Sequence, residues 1–488
     1  MRNPDTAADE AVQLRTDEKA LRINLDPDRY GTFAEIGAGQ EVARWFFRVG
    51  AAAGSISKSI SAYDMAVSDA IYGRCKRYVS RERLQGMLDH EHGLNLERLR
   101  PSRGDTTAFF VFADTVSARN YQGTNECHGW MGVKYQAHPR DEDSQILIHV
   151  RMLDHENSLQ QEALGIVGVN LLYAACFLHH KPERMLESLL DNLSADRIEI
   201  DMVEFSGIEF RHVDNRVMSL RLVQLGLSRA AMFGPSGDVL QPSEVLRKRP
   251  VLVERGSFRP VTRVNIDMLR SAHERFATEL GLESGSAQDQ IVDLMEITMR
   301  NLLVTGKIDL SDFLARADVL AAAGKTVMIS DYSEYYRLAA WLTRYTTEPI
   351  ALTMGVTSLQ ELFLDKYYVD LEGGILEAFG KLFTRDLRIY VYPLRDPATG
   401  LLRTVENAEM PANVQALYRH IVQGGRIKQL DNYDESVLHI FSRDVLKRIK
   451  DEDPSWDSMV PLEIAEVIKR RGFFGYHDAG MPRVGAPA

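Results

Sequence analysis

The sequence is poor in cysteine and in positive charge. Only three cysteines occur in 488 residues, Cys75, Cys127 and Cys176, and they lie far apart. This number and spacing argue against a disulfide framework and a paired-cysteine zinc site, and they suit a reducing cytoplasm. Lys and Arg number 58 against 69 Asp and Glu, so the formal net charge is -11. Because binding to nucleic-acid phosphates needs a dominant positive surface, we expect no general nucleic-acid binding.

Long apolar runs are also scarce. Residues 1–19 alternate charged and small side chains and lack the apolar core that a secretory signal requires. The most apolar window, residues 163–178, is short and contains glycine, so we interpret it as a buried helix rather than a membrane span. Such a helix also suits a subunit interface, which makes a homo-oligomeric scaffold one hypothesis. We therefore expect a cytoplasmic protein with no membrane partner.

The composition is that of a folded chain with several domains. Hydrophobic residues make up 45% and charged residues 26% of the sequence, which is typical of globular proteins. We predict the α/β class, with a β/α domain and a mostly parallel sheet at residues 196–395. A mostly helical segment at 1–95 and a small antiparallel sheet with helices at 96–195 precede it. A helical C-terminal cap at 396–488 follows it.

Changes in the spacing of hydrophobic residues along the sequence support this division into domains. Residues 21–27 suggest a short strand or extended arm, and residues 109–114, 129–136 and 145–151 are rich in β-branched and aromatic residues. Downstream, strands alternate with helices, as in parallel sheets. The helical segments 214–226 and 312–324 both end at a glycine, which suggests a duplicated β-helix-β unit, with two instances of a common motif as the alternative.

Cationic residues on or beside the predicted antiparallel strands form one candidate site. His149 and Arg151 are two apart on a strand and therefore share a face. With Arg119 and Lys134, they would suit a phosphate or carboxylate ligand. The alternative is the solvated outer face of a half-buried sheet. Since no carboxylate stands at a diagnostic spacing from His149, we predict no metal site.

Two glycine-containing turns are candidates for anion binding. Gly37-Ala38-Gly39 precedes a helical segment, but Val42 stands where a dinucleotide-binding turn has its third glycine. Helix entry and close packing are the alternatives there. In residues 251–262 an apolar run ends at Gly256, and an amphipathic segment begins after Thr262. Backbone amides and the helix dipole at such a turn suit an anion, although an ordinary strand-to-helix connection has the same pattern.

The stretch from Gly256 to Ile266 resembles the signature of nicotinamide or nicotinate mononucleotide adenylyltransferases, in which a strand enters a Gly-Ser-Phe-x-Pro turn. The resemblance implies that Gly256, Ser257 and Phe258 form the turn over the nucleotide phosphates. It also implies that Thr262 occupies the first position of the histidine motif. The final histidine of that motif falls on Asn265, a departure because asparagine is not cationic.

Our leading hypothesis is an enzyme that acts on a nucleotide or another phosphorylated small molecule, such as a divergent nucleotidyltransferase. Its candidate catalytic residues are Asn265, Arg255, Asp201 and Glu296, the last two being carboxylates at strand ends that suit Mg²⁺ or proton transfer. The expected cofactors are Mg²⁺ and ATP. The alternative that Asn265 favours is a regulatory protein that binds a nucleotide without turnover.

Overall fold

The computed structural model describes residues 13–282, 290–304 and 306–477. They form two compact units, and the second begins at Arg229. Each unit is built around one large β-sheet with helices, of six strands in the first unit and eight in the second. The α/β class predicted from the sequence is therefore confirmed.

The first unit contains six strands and seven helices among its described residues. The strands are β1 (Arg29–Ile36), β2 (Ile56–Ile60), β3 (Ala108–Ser117), β4 (His128–Gln136), β5 (Asp143–Met152) and β6 (Ile198–Gly207). The helices are α1 (Thr16–Asn24), α2 (Glu41–Val49), α3 (Met65–Tyr72), α4 (Arg81–Arg103), α5 (Asn157–Phe177), α6 (Pro182–Ser188) and α7 (Asn215–Gln224).

The sheet of the first unit is mixed, with the order β2-β1-β3-β4-β5-β6. Strand β1 is parallel to β2 and β3, whereas β3 to β6 form an antiparallel meander. The apolar helix α5 is buried within this unit, and its Gly168 approaches Val42 and Phe112 closely enough that a Cβ would clash. The helix is thus a core element, so its apolar surface no longer supports a subunit interface.

Two sequence predictions fail in this unit. Residues 21–27 do not form a strand, because Ala20, Ile23 and Asn24 share the buried side of α1. The segment predicted as mostly helical contains α1, α2, α3 and most of α4, and it also contributes β1 and β2. Strand β6, which we assigned to the β/α region, pairs with β5 instead. Each failure has the same cause, since local periodicity does not determine which sheet a segment joins.

The second unit contains the remaining strands. They are β7 (Ala230–Phe233), β8 (Val239–Leu240), β9 (Val251–Arg255), β10 (Val292–Thr298), β11 (Thr326–Ser330), β12 (Ile350–Gly355), β13 (Leu387–Tyr392), β14 (Leu394–Arg395), β15 (Leu402–Arg403) and β16 (Ile427–Gln429). Its helices are α8 (Pro242–Leu246), α9 (Arg263–Glu279), α10 (Met299–Leu302), α11 (Leu310–Ala322), α12 (Tyr335–Tyr345), α13 (Val356–Leu362), α14 (Gly374–Leu382), α15 (Gln415–Gln423), α16 (Ser442–Lys450) and α17 (Leu462–Arg471).

The large sheet of the second unit is doubly wound. Its order is β16-β13-β12-β9-β10-β11-β7-β8. Strands β9 to β13 and β16 are parallel, whereas β7 runs antiparallel beside β11. Counted from β9, the parallel strands follow the order 3-2-1-4-5-6 of doubly wound folds. The mostly parallel sheet is confirmed, but the C-terminal region is more than a helical cap because it supplies β16.

The suggested duplication is wrong. Helix α7 connects β6 of the first sheet to β7 of the second, whereas α11 connects β10 to β11 within one sheet. The two helices begin and end with similar residues because both need an aspartate at the start and a glycine just beyond the end.

Candidate functional site

The glycine turn at residues 256–262 lies at the topological centre of the second unit. Strand β9 pairs with β10 on one side and β12 on the other, and Val251, Leu252 and Val253 are buried. The chain leaves β9 toward β10 but later returns to the opposite side of β9 at β12. This reversal is the switch point at which ligands bind beside the carboxyl ends of parallel strands.

The turn itself is compact. Phe258 has a φ of 47°, and its ring is 1% exposed. A Cβ added to Gly256 would lie 2.7 Å from that ring, so only glycine fits beneath Phe258. Gly256 therefore serves packing as well as backbone geometry, and the Phe258 side chain is a core residue rather than a ligand contact.

The predicted residues Arg255 and Glu296 meet at the ends of β9 and β10. Arg255 Nε donates to Glu296 Oε2 at 2.7 Å, and Arg255 Nη2 donates to Oε1 at 3.0 Å. The guanidinium also donates to the Ser333 carbonyl and lies 4.2 Å from the centre of the Tyr335 ring. Because Glu296 is fully buried, this pair is a positioning element beneath the cavity rather than a free catalytic cation.

Asn265 lies at the start of α9 and forms a hydrogen bond with Glu254, the residue that precedes Arg255 in β9. Its Oδ1 accepts from the Thr262 amide at 3.0 Å, and its Nδ2 donates to Glu254 Oε1 at 2.8 Å. Burial raises the pKa of Glu254 to about 8, against the opposing effect of the Asn265 hydrogen bond. The structure thus uses Asn265 to cap the helix and to hold a buried acid.

A cavity of about 570 Å³ lies against the turn. It is lined by the ends of four parallel strands and the segments that follow them, including Ser257 after β9, Asn301 after β10, Tyr335 after β11 and Ser358 after β12. The site predicted from the turn alone therefore extends over four strand ends.

Two arginines that the sequence analysis missed also line this cavity. Arg300 follows β10, and Arg443 lies at the start of α16. Both are exposed, and neither forms an ion pair with any residue in the described ranges. Glu334, Glu361 and Tyr367 line the same cavity. Arg443 lies far along the sequence from the turn, so no local motif identifies it.

A second cavity of about 200 Å³ lies on the other side of the turn. Thr262 and Asn265 from the start of α9, Ser442 from the start of α16, and Tyr392 from the end of β13 line it. Most of its wall is apolar. The predicted residues Gly256 and Ser257 therefore face one cavity, and Thr262 and Asn265 face the other.

The remaining predicted residues belong to the first unit. His149 and Asp201 are buried and joined by a hydrogen bond of 2.6 Å. Arg151 lies 3.8 Å from Glu199, and Arg119 follows β3 on an exposed segment. Lys134 lies apart from His149 and Arg151. The residue of β4 that pairs with Arg151 is His128, and Lys134 is six positions further along β4.

Lys134 donates to Asp89 at 2.8 Å. The structure therefore divides the predicted cationic face into two parts, and Lys134 does not join His149. Two further acids near strand ends are also paired, Glu204 with Arg81 and Asp331 with Arg229.

The turn Gly37-Ala38-Gly39 joins β1 to α2, but the carboxylate of Glu35 already binds the amides at the start of α2. Glu35 accepts from the Val42 and Ala43 amides at 3.0 and 2.8 Å. Burial raises the pKa of Glu35 to about 7, against the opposing effect of those amide hydrogen bonds. The alternative of helix entry and close packing describes this turn better than a phosphate site.

The described residues lack a metal-site arrangement and a membrane-spanning helix. No group of three or more His, Cys, Asp or Glu side chains there has the arrangement of a metal site. Within the same residues, every helix is too short or too polar to cross a membrane.

Comparison with known proteins places the chain in no family. No family model and no curated protein matches it. Among solved structures, the competence/damage inducible protein CihA from Agrobacterium tumefaciens is 17% identical, with 33% of this chain and 94% of that chain covered and a TM-score of 0.26. A CinA superfamily protein from Klebsiella pneumoniae is 13% identical over 33% and 96% of the two chains, with a TM-score of 0.25.

A third structure is the nicotinic acid mononucleotide adenylyltransferase of Plasmodium falciparum, complexed with APC. It is 11% identical over 47% of this chain and 98% of that chain, with a TM-score of 0.29. Likenesses this weak carry no argument about activity. The candidate site therefore depends on its own geometry.

Proposed function

We propose that the second unit binds a nucleotide or another phosphorylated small molecule in the larger cavity beside the Gly256 turn. The observation that carries the proposal is the position of two exposed arginines, Arg300 and Arg443, at the switch point of a doubly wound sheet. Ligands of such sheets bind at this edge, and guanidinium groups are well suited to phosphate oxygens.

The buried pair beneath the cavity supports an anionic ligand indirectly. Glu296 neutralises Arg255, so the cations that remain for a ligand are Arg300 and Arg443. Tyr335 and Tyr367 line the same space, and aromatic rings are good surfaces for stacking a nucleobase. Arg300 lies 5.7 Å from the centre of the Tyr367 ring, so the cavity brings a phosphate-binding group and an aromatic ring side by side.

A Mg²⁺ ion would bind in this cavity together with the phosphates of the same ligand. Glu334 and Glu361 face the cavity, and Mg²⁺ is commonly held by one or two carboxylates together with substrate phosphates. These two residues are our candidates for the metal contact. The metal would neutralise phosphate charge when bound, while Arg300 and Arg443 orient the phosphates.

Adenylyl transfer is the finer version of this proposal, and the sequence of the turn supports it. The contacts of Asn265 weaken it, because its amide is already bonded to Thr262 and Glu254. A neutral, occupied amide supplies less electrostatic stabilisation to reacting phosphates than a cationic imidazole. Binding without turnover is therefore the alternative that this side chain favours.

Calorimetry with ATP, nicotinamide mononucleotide, nicotinate mononucleotide and inorganic phosphate tests binding. We expect Arg300→Ala and Arg443→Ala each to weaken binding of the preferred nucleotide about tenfold, since each removes a charge-assisted hydrogen bond. Arg419→Ala, an exposed arginine on α15, is the matched control and should leave affinity unchanged. Absence of binding by all four compounds, or equal affinities of the three variants, would overturn the proposal.

Adenylyl transfer has a separate test. The protein is incubated with ATP and either mononucleotide, with and without Mg²⁺, and the dinucleotide product is measured. Tight binding without product at any protein concentration rejects the transferase version and supports a regulatory role. Product that disappears in Arg443→Ala supports the transferase version.

A further inference from the structure

A buried arginine of the second unit holds two of the segments that form the wall of the larger cavity. Arg316 lies in the middle of α11 and is 4% exposed. Its Nη1 donates to the carbonyl of Ser257, which follows β9, at 3.2 Å. The same nitrogen donates to the carbonyl of Asn301, which follows β10, at 3.4 Å. One guanidinium group therefore joins the segments that follow two neighbouring strands.

An ion pair fixes the other edge of this guanidinium. Arg316 Nε donates to Asp312 Oδ2 at 2.8 Å, and Arg316 Nη2 lies 2.5 Å from the same oxygen. The two residues are four apart and therefore neighbours on the surface of α11. Asp312 Oδ1 lies 2.5 Å from Arg259 Nε, so the same carboxylate also holds the turn after β9. The planar guanidinium is thus held on one edge, and its remaining nitrogen reaches the two segments.

Asn301 adds a direct bond between the two segments. Its Nδ2 donates to the Gly256 carbonyl at 3.1 Å. Gly256, Ser257 and Asn301 all line the cavity, and the carbonyl oxygen of each accepts a hydrogen bond from a protein side chain. A carbonyl oxygen carries partial negative charge, so one that turned freely toward the cavity would repel a phosphate. These bonds hold the carbonyl groups of this wall in one arrangement.

Arg316 acts on the cavity through its neighbours. It is not among the described residues that line the cavity, whereas Arg300 is. Arg300 directly precedes Asn301 in the sequence. The bond from Arg316 to the Asn301 carbonyl therefore also restrains the backbone that carries the exposed Arg300 side chain.

We propose that Arg316 is a positioning residue for the phosphate-binding wall of this cavity. The inference rests on the function proposed above and adds a residue to it that does not line the cavity. Arg316 keeps Ser257 and Arg300 arranged for phosphate oxygens before the ligand arrives. A wall that is already ordered loses less conformational entropy on binding, and binding groups depend on the residues that support them.

Replacement by lysine separates the charge of Arg316 from its geometry. A lysine keeps the positive charge, but its ammonium group is a single point on a flexible stem. It cannot hold Asp312 on one edge and the two carbonyl groups on the other. Arg316→Lys should therefore loosen the phosphate-binding wall without removing a charge from α11. The loss should concern the phosphate part of the ligand and leave the nucleoside part unaffected.

The full chain is tested by calorimetry with ATP and nicotinamide mononucleotide, each compared with its nucleoside, adenosine or nicotinamide riboside. We expect Arg316→Lys to weaken binding of the preferred nucleotide about tenfold and binding of its nucleoside less than about twofold. Arg388→Lys is the matched control. Arg388 also bonds to two carboxylates, those of Glu279 and Asp386, but it lies at the amino end of β13, so both affinities should stay unchanged.

Hydrogen–deuterium exchange without ligand tests the clamp independently of binding. Arg316→Lys should speed exchange in peptides that cover residues 256–262 and 298–302, and Arg388→Lys should not. Asp312→Asn provides a second variant, because it removes the charge that holds the guanidinium while keeping the shape of the side chain. It should weaken nucleotide binding in the same direction by a smaller factor.

The outcomes separate this inference from the proposed function. If the wild type binds a nucleotide and both Arg316→Lys and Asp312→Asn bind it with unchanged affinity, the positioning role is overturned while the proposed function stands. An equal loss of affinity for nucleotide and nucleoside would likewise overturn it, because a general disturbance of the fold predicts that result. Binding of neither nucleotide by the wild type would reject the proposed function, and the inference with it.

Discussion

The two units share a local design but differ in what occupies the start of the helix. In each, a parallel strand enters a turn containing glycine and then a helix, β1 to α2 in the first unit and β9 to α9 in the second. In the first unit the carboxylate of Glu35 accepts from the Val42 and Ala43 amides. In the second, the neutral side chain of Asn265 bonds to Thr262. A carboxyl group of the protein therefore already fills the first helix start, whereas an uncharged amide side chain occupies the second.

Buried carboxyl groups occur in two kinds of environment in these units. Glu296 is neutralised by the two hydrogen bonds from Arg255, whereas Glu35 and Glu254 are buried without a cation of that kind and have raised pKa values. A buried ion pair and a buried acid respond oppositely when altered. Removing the partner of the pair leaves a charge stranded, while neutralising the acid removes a desolvation penalty.

The largest expected effect comes from breaking the ion pair of the second unit. Arg255→Ala should lower the free energy of unfolding by about 3–5 kcal/mol, because it leaves Glu296 charged and buried. Urea denaturation of the full chain measures this change. Arg419→Ala is the control, and the surface location of Arg419 predicts a change within about 0.5 kcal/mol. Equal effects of the two variants would show that the pair does not hold the turn.

The next effect is a dependence of stability on pH that both units share. The folded-state pKa values of Glu35 and Glu254 are about 7 and about 8, above their ordinary value, so the folded chain binds more protons than the unfolded chain. Their contribution to stability is therefore complete below pH 4.5 and is lost as the pH rises through 7 and 8. Each decline is on the order of 3–5 kcal/mol, the larger value belonging to Glu254 because its pKa shift is larger.

Glu35→Gln and Glu254→Gln should each flatten this profile, as measured by urea denaturation at several pH values. Glu463→Gln, at an exposed position of α17, should leave it unchanged. The contradicting result is a free energy of unfolding that rises between pH 5 and 8 in the wild type and falls over that range only in the glutamine variants. It would mean that these acids are ionised in the folded protein and stabilise it.

The smallest effect compares the two helix starts directly. Asn265→Ala removes the side chain that completes the capping box of α9 with Thr262 and the hydrogen-bond donor of Glu254, so the free energy of unfolding should fall by about 1–2 kcal/mol. Gln40, the residue directly before α2, makes no side-chain cap bond, and Gln40→Ala should change stability by less than about 0.5 kcal/mol. Thermal denaturation of both variants measures the difference. A larger loss in Gln40→Ala would reverse our account of the two helix starts.

The sequence predicted the local features of the second unit well. The apolar run before Gly256 and the helical spacing after Thr262 specify a buried strand, a turn and a helix. Residues Arg255 and Glu296 were both predicted as site residues, and they meet because their strands are neighbours. Alternation of strands and helices was enough to indicate a mostly parallel sheet.

The missing information is long-range. Arg443 joins the cavity only because α16 follows β16 across the sheet, and a single sequence contains no signal for that contact. The bond between His149 and Asp201 depends on a bulge in β6, which strand periodicity does not show. The same limit explains why β6 was assigned to the wrong sheet, since a strand pattern specifies a face but no partner.

The most direct test of the difference between the two turns is photo-crosslinking with 8-azido-ATP, followed by mapping of the labelled peptides by mass spectrometry. We predict that the label is found on peptides that contain residues 256–257, 300–301 or 443, and that unlabelled ATP competes for it. Specific labelling of residues 37–43 instead, or labelling of both turns alike, would contradict the proposal that Glu35 fills the first helix start and that a nucleotide binds beside the second turn.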